Sequence, residues 1–131
     1  MTESIVLDAS AVLAILSGKV SYGAIADDLE QAVMSAVNVA EVMLALNNQG
    51  MPVSTMSDVV NGLTLTIVPF DAESAEAATE LQLRALTKTS KLSLGDLACL
   101  SLAQRLKAPV LTADQAWKAV DVGIEIRYVL G

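Results

Sequence analysis

Short apolar runs alternate along the chain with longer segments of helical spacing. The runs SIVL (residues 4–7), AVM (32–34), LTLTIV (63–68), PVLT (109–112) and IEIRYV (124–129) predict five strands. Between them, the patterns at residues 9–17, 22–31, 37–48, 52–62, 72–87, 96–107 and 115–120 predict helices. Plausible caps mark several starts: Asp71 before Ala72, Ser93 three residues before Asp96, and Asp114 before Gln115. Strands that read as continuous apolar runs and alternate with helices predict a parallel sheet covered on both faces, an α/β sandwich. No linker, internal repeat or composition shift divides residues 1–131, so one domain is expected.

Composition narrows the chemistry. The 131 residues include no histidine, which excludes a Ser-His-Asp triad, a Cys-His dyad, an HExxH zinc site and an imidazole base. The lone cysteine, Cys99, excludes internal disulfides, CxxC motifs and multi-cysteine zinc sites. Glu3 stands where a secretory leader would carry basic residues, so a reducing cytoplasm is the expected location. Apolar stretches are interrupted by Asp8, Asn38 and Glu41, and no 18-residue membrane span is read. GxGxxG and GxxxxGK[ST] are both absent.

The formal charge of −7 is unevenly placed. Residues 1–83 hold eleven acids against one base, Lys19, whereas residues 84–131 hold four acids against seven bases. An acid buried in the first stretch therefore needs a partner from elsewhere. Asp8 follows the first strand directly in IVLDASAVLAIL, where it either caps the next helix or projects from a strand's carboxyl end. Glu41 lies in SAVNVAEVMLALNN, apolar on nearly every side, which predicts a largely buried carboxylate. A raised pKa, a distant base or a bound cation would each relieve it. Asp96 reads as part of a capping box with Ser93, and Asp114 follows the fourth strand. Parallel topology would gather Asp8, Asp96 and Asp114 on one sheet edge with Glu41 nearby. Four such carboxylates repel one another, and oxygen-only donors suit Mg²⁺ or Mn²⁺. Those ions support phosphodiester hydrolysis without histidine.

The segments IVLDASAVLAIL, NVAEVMLAL and LSLGDLACLSLAQRLKAPVLTADQAW resemble the PIN-domain nucleases, and among them the VapC-type toxins of prokaryotic toxin–antitoxin pairs. The resemblance runs the length of the chain, and its last piece, with T-x-D followed by Trp117, is the most specific. It implies a three-layer α/β/α fold with a central, mainly parallel sheet, and a Mg²⁺- or Mn²⁺-dependent endoribonuclease. By position it implies Asp8, Glu41, Asp96 and Asp114 as catalytic and metal-binding acids, with Ser10 and Thr112 in support. It further implies an RNA substrate, a VapB-like antitoxin and a homodimer.

Four aromatic residues, Tyr22, Phe70, Trp117 and Tyr128, are too few for a base-stacking platform. Arg84, Lys88 and Lys91 form either a solvated helix face or a basic rim for the RNA backbone. The high apolar fraction, 53%, leaves surface for a partner; residues 51–62 and the first two helices are candidate contacts. A non-toxin PIN nuclease or a non-catalytic PIN scaffold remains the alternative. Other carboxylate-based phosphotransfer folds fit less well: Ser10 stands where a haloacid-dehalogenase-like enzyme needs a second acid, and Asp27-Asp28 follows no strand.

Overall fold

The computed structural model describes residues 4–21, 23, 27, 29–85, 92–119 and 123–129. Five strands, β1 (Ile5–Leu7), β2 (Ala32–Ser35), β3 (Thr66–Val68), β4 (Val110–Thr112) and β5 (Ile126–Tyr128), form one sheet in the order β3-β2-β1-β4-β5. Every pairing is parallel. The helices are α1 (Ala9–Leu16), α2 (Ala36–Asn48), α3 (Val53–Gly62), α4 (Ala72–Ala85) and α5 (Leu94–Leu106). A 3-10 turn, η1 (Gln115–Ala119), follows β4. All five expected strands are present, each trimmed at its ends or extended by one residue. The helix expected at residues 22–31 falls partly outside the described residues.

Alternation along β1 separates two cores. Ile5 and Leu7 point into a cluster with Val12, Met34, Val42 and Met56, covered by α1, α2 and α3. Val6 points the other way, with Val33, Val110, Leu81 and Leu100, under α4 and α5. The result is a three-layer α/β/α sandwich. β1, β2 and β4 are buried throughout, as continuous apolar runs require. The edge strands differ: β3 is mostly exposed and β5 alternates, because each lacks a neighbour on one side.

The strand order places a switch point between β1 and β4. From β1 the chain moves outward through β2 to β3, then returns and builds β4 and β5 on the other side. Open parallel sheets bind ligands in the crevice outside the carboxyl ends at such a point. Asp8 leaves β1 there, and Thr112 closes β4 beside it through the register Leu7↔Leu111.

Candidate active site

Asp8 is the buried member of the site, 6% exposed. Extended backbone at Asp8 ends the strand and caps α1, with Oδ1 accepting the Ala11 amide at 2.9 Å. The capping and strand-end readings therefore describe one residue. Ser10 Oγ donates to Asp8 at 2.8 Å, and Thr112 Oγ1 donates to Oδ2 at 2.5 Å from a fully buried position. Those two hydroxyls are themselves fixed from behind: Ser10 Oγ accepts the Ala113 amide and Thr112 Oγ1 accepts the Asp114 amide, each at 3.0 Å. Burial holds the Asp8 carboxyl above its ordinary pKa, with the Asp114 charge adding to the rise. The bonds from Thr112, Ala11 and Ser10 oppose it.

Asp114 is half-buried and caps η1, its Oδ1 accepting the Ala116 amide at 2.9 Å. Asp96 sits in the first turn of α5 within a complete capping box: Ser93 Oγ accepts the Asp96 amide, and Asp96 Oδ2 accepts the Ser93 amide. The free Oδ1 accepts the indole N–H of buried Trp117 at 3.2 Å, which ties η1 to α5. Cys99 lies beneath the site, fully buried. Burial pushes its thiol pKa well up, and the charges of Asp8, Asp96 and Glu41 push it further. Acids from three separate segments thus act on one buried atom.

Glu41 corrects the sequence reading. It is exposed, not buried, because α2 turns Asn38, Val39, Val42 and Leu46 inward and leaves Ala40, Glu41 and Leu44 outside. An apolar circumference misled here, since Leu44 is itself 65% exposed. No distant base is needed: Asn38 Nδ2 donates to Glu41 Oε1 at 2.7 Å. Arg84 donates to Gln104 Oε1 at 2.9 Å, eight residues beyond Asp96 on α5, or about 12 Å of helix rise. Lys88, Lys91, Tyr22 and Asp121 lie outside the described residues.

The ends of β1 and β4, the starts of α1, α5 and η1 and one face of α2 thus carry the candidate residues. The PIN domain family model matches residues 5–123. The chain belongs to the PIN domain family. No curated protein matches it. Among solved structures, VapBC from Salmonella typhimurium bound to DNA is 14% identical with a TM-score of 0.79, covering 98% of this chain and 99% of that one. VapBC2 from Rickettsia felis bound to a promoter DNA fragment gives 17%, 0.73, 95% and 97%. VapC20 from Mycobacterium tuberculosis, a sarcin-ricin loop cleaving toxin, gives 16%, 0.67, 88% and 94%. At these identities the likeness is one of fold.

The donor set of this PIN domain suits a hard cation, being carboxylate and hydroxyl oxygen only. Among the described residues, no three acidic or sulfur side chains converge as a ready metal cage. Mg²⁺ does not require one, because it keeps several waters and binds through one or two carboxylates. The oxygen donors present are of the kind a hydrated ion takes. Sequence reasoning missed Gly95 and the indole of Trp117 as parts of this arrangement. A glycine inside a helical pattern was the available signal for the first; for the second, T-x-D followed by Trp117 marked the residue but not its bond to Asp96.

Proposed function

We propose that this PIN domain is a Mg²⁺- or Mn²⁺-dependent endoribonuclease, the toxin of a VapBC-type pair acting in the cytoplasm. The observation that carries the reading is the Asp8 carboxylate at the sheet's switch point, held by the Ser10 and Thr112 hydroxyls, with Asp114 near it. Asp8 and Asp96 would hold the ion, with Glu41 and Asp114 completing its surroundings. A bound divalent ion supplies a nucleophilic water near neutral pH and neutralises the phosphodiester oxygens. The protein's own part is to hold that ground. Ser10 and Thr112 keep the Asp8 carboxylate in one orientation, and their hydrogen bonds favour its ionised form. Trp117 keeps Asp96 turned toward the same crevice.

An antitoxin partner is supported by the fold shared with VapBC complexes and by a cavity of about 550 Å³ beside the site. Ser10 and Ala113 form its inner end, and Leu13, Leu46, Met51 and Val59 line its apolar wall. A second copy of the chain is the expected cover for exposed apolar side chains such as Leu44 and Val53. No described helix is long and apolar enough to cross a membrane.

The test is cleavage of structured RNA with Mg²⁺ or Mn²⁺. Activity is expected to vanish with EDTA and in Asp8→Asn and Asp96→Asn; full activity in both variants sinks the assignment. One observation favours a non-catalytic scaffold, namely that the acids do not already form a cage. Calorimetric titration with Mn²⁺ separates the two, because a scaffold has no binding in the micromolar-to-millimolar range.

A further inference from the structure

Glu41 is exposed, yet its carboxylate is held from two sides. Asn38 Nδ2 donates to Glu41 Oε1 at 2.7 Å and to the Gly95 carbonyl at 3.0 Å. Asn38 is 1% exposed, and its Oδ1 has no hydrogen-bond partner among the described residues. A buried carbonyl oxygen left without a donor is costly. Flipping the amide does not help, because Oδ1 would then face two acceptors. The Asn38 orientation is thus dictated by the carboxylate on α2 and the carbonyl on α5 together.

Gly95 closes the other side. A Cβ at that position would overlap Glu41 Oε2 and stand 2.6 Å from both Cδ and Oε1. Gly95 lies within α5, where any residue adopts the backbone and glycine is the poorer choice. The position uses the missing side chain, not the freedom of the chain.

We propose that Asn38 and Gly95 are positioning residues that seat the Glu41 carboxylate against the first turn of α5, beside Asp96. Asn38 ties the acid to α5, and Gly95 leaves the space it occupies. Acids borne by α2 and α5 then meet in one place although the helices belong to different layers. The purpose of the seat rests on the nuclease reading; its existence does not.

Gly95→Ala tests it. The atoms in the way are the end of a flexible side chain, so the fold accommodates the methyl while the carboxylate leaves. The variant is expected to melt no lower than wild type. By calorimetry its Mn²⁺ affinity is expected to fall at least tenfold, close to that of Glu41→Ala. In a Glu41→Ala background the same glycine change is expected to move affinity less than twofold. Affinity within twofold of wild type, or an equal loss in both backgrounds, overturns the proposal. If the wild-type chain binds no Mn²⁺, the nuclease reading fails, and a crystal structure of Gly95→Ala decides the seat. A displaced Glu41 carboxylate supports it; one still bonded to Asn38 Nδ2 overturns it.

Discussion

Replacing Thr112 by valine tests how the buried Asp8 is kept charged. The side chain is fully buried, and valine matches its shape while removing the hydroxyl. Three hydrogen bonds disappear: the 2.5 Å donation to Asp8 Oδ2, the 3.0 Å acceptance from the Asp114 amide and the 3.1 Å bond with Ser10 Oγ. A bond to a charged group contributes about 1.5–3 kcal/mol. The Asp114 amide adds about 1 kcal/mol, since that half-buried residue recovers part of its bonding from water. The expected loss is therefore about 2–4 kcal/mol, or roughly 10 °C in melting temperature for a domain of this size.

The loss also depends on pH, and the sign follows from Asp8. Burial raises its folded pKa above 3.8, and the Thr112 bond opposes that rise. Without the bond the pKa moves further up, because the bond favours the ionised form. Above both folded values the variant bears the whole penalty. As pH falls through the raised folded values toward 3.8, Asp8 takes up a proton and the gap shrinks to that of a neutral hydrogen bond, about 1 kcal/mol. Thr112→Ser keeps the hydroxyl, loses a methyl group worth about 1 kcal/mol, and has no such pH dependence. Urea unfolding followed by circular dichroism at several pH values measures all three proteins. A Thr112→Val variant within about 0.5 kcal/mol of wild type at neutral pH, or a gap that stays constant on acidification, refutes the reasoning.

Asp8→Asn is expected to raise stability at neutral pH even as it abolishes cleavage, because it removes a buried charge whose neighbouring hydroxyls can turn to accept. Thermal melts should show that advantage fading as pH falls through the raised pKa toward 3.8, and a less stable variant at pH 7 would contradict it. Leu100, on α5, is fully buried; Leu100→Ala is expected to cost about 2–5 kcal/mol in urea unfolding, and a loss below about 1 kcal/mol would mean the core is not packed as described. Trp117 is the single tryptophan and donates to Asp96. Tb³⁺ bound at the site should therefore luminesce on indole excitation, an emission expected to disappear in both Trp117→Phe and Asp96→Asn; undiminished emission from Asp96→Asn would place the ion elsewhere.

What the sequence made legible, and what it hid, divides along the range of the interactions. β1 and β4 were readable because an apolar run that stops at an acid carries its whole message in a few adjacent residues. Ser10 and Thr112 were named through the resemblance, and both bond to Asp8. The exposure of Glu41 was not readable: periodicity says which face of α2 is apolar, but not which face the sheet and α5 leave open. Arg84 donates to Gln104, which stands on another helix. The Trp117–Asp96 bond and the Asn38–Gly95 bond join residues 21 and 57 positions apart. No local pattern encodes such pairs.

The acids raise a further question of balance, since residues 20–83 contain no base and four carboxylates are proposed for the site. The structure answers it with the backbone. Asp8 caps α1, Asp96 completes the box that opens α5, and Asp114 caps η1. Each helix start presents amide donors and the positive end of its dipole to the carboxylate it holds. Asn38 gives Glu41 an amide in place of a charge. Fixed partial charges of this kind lower the repulsion among the acids without forming salt bridges that would occupy their oxygens. A lysine or arginine paired to Asp8 would stabilise it more and would also fill the place a cation needs. Capping and acid placement are thus one design here: the amides at the helix starts are the donors that hold the carboxylates of Asp8, Asp96 and Asp114.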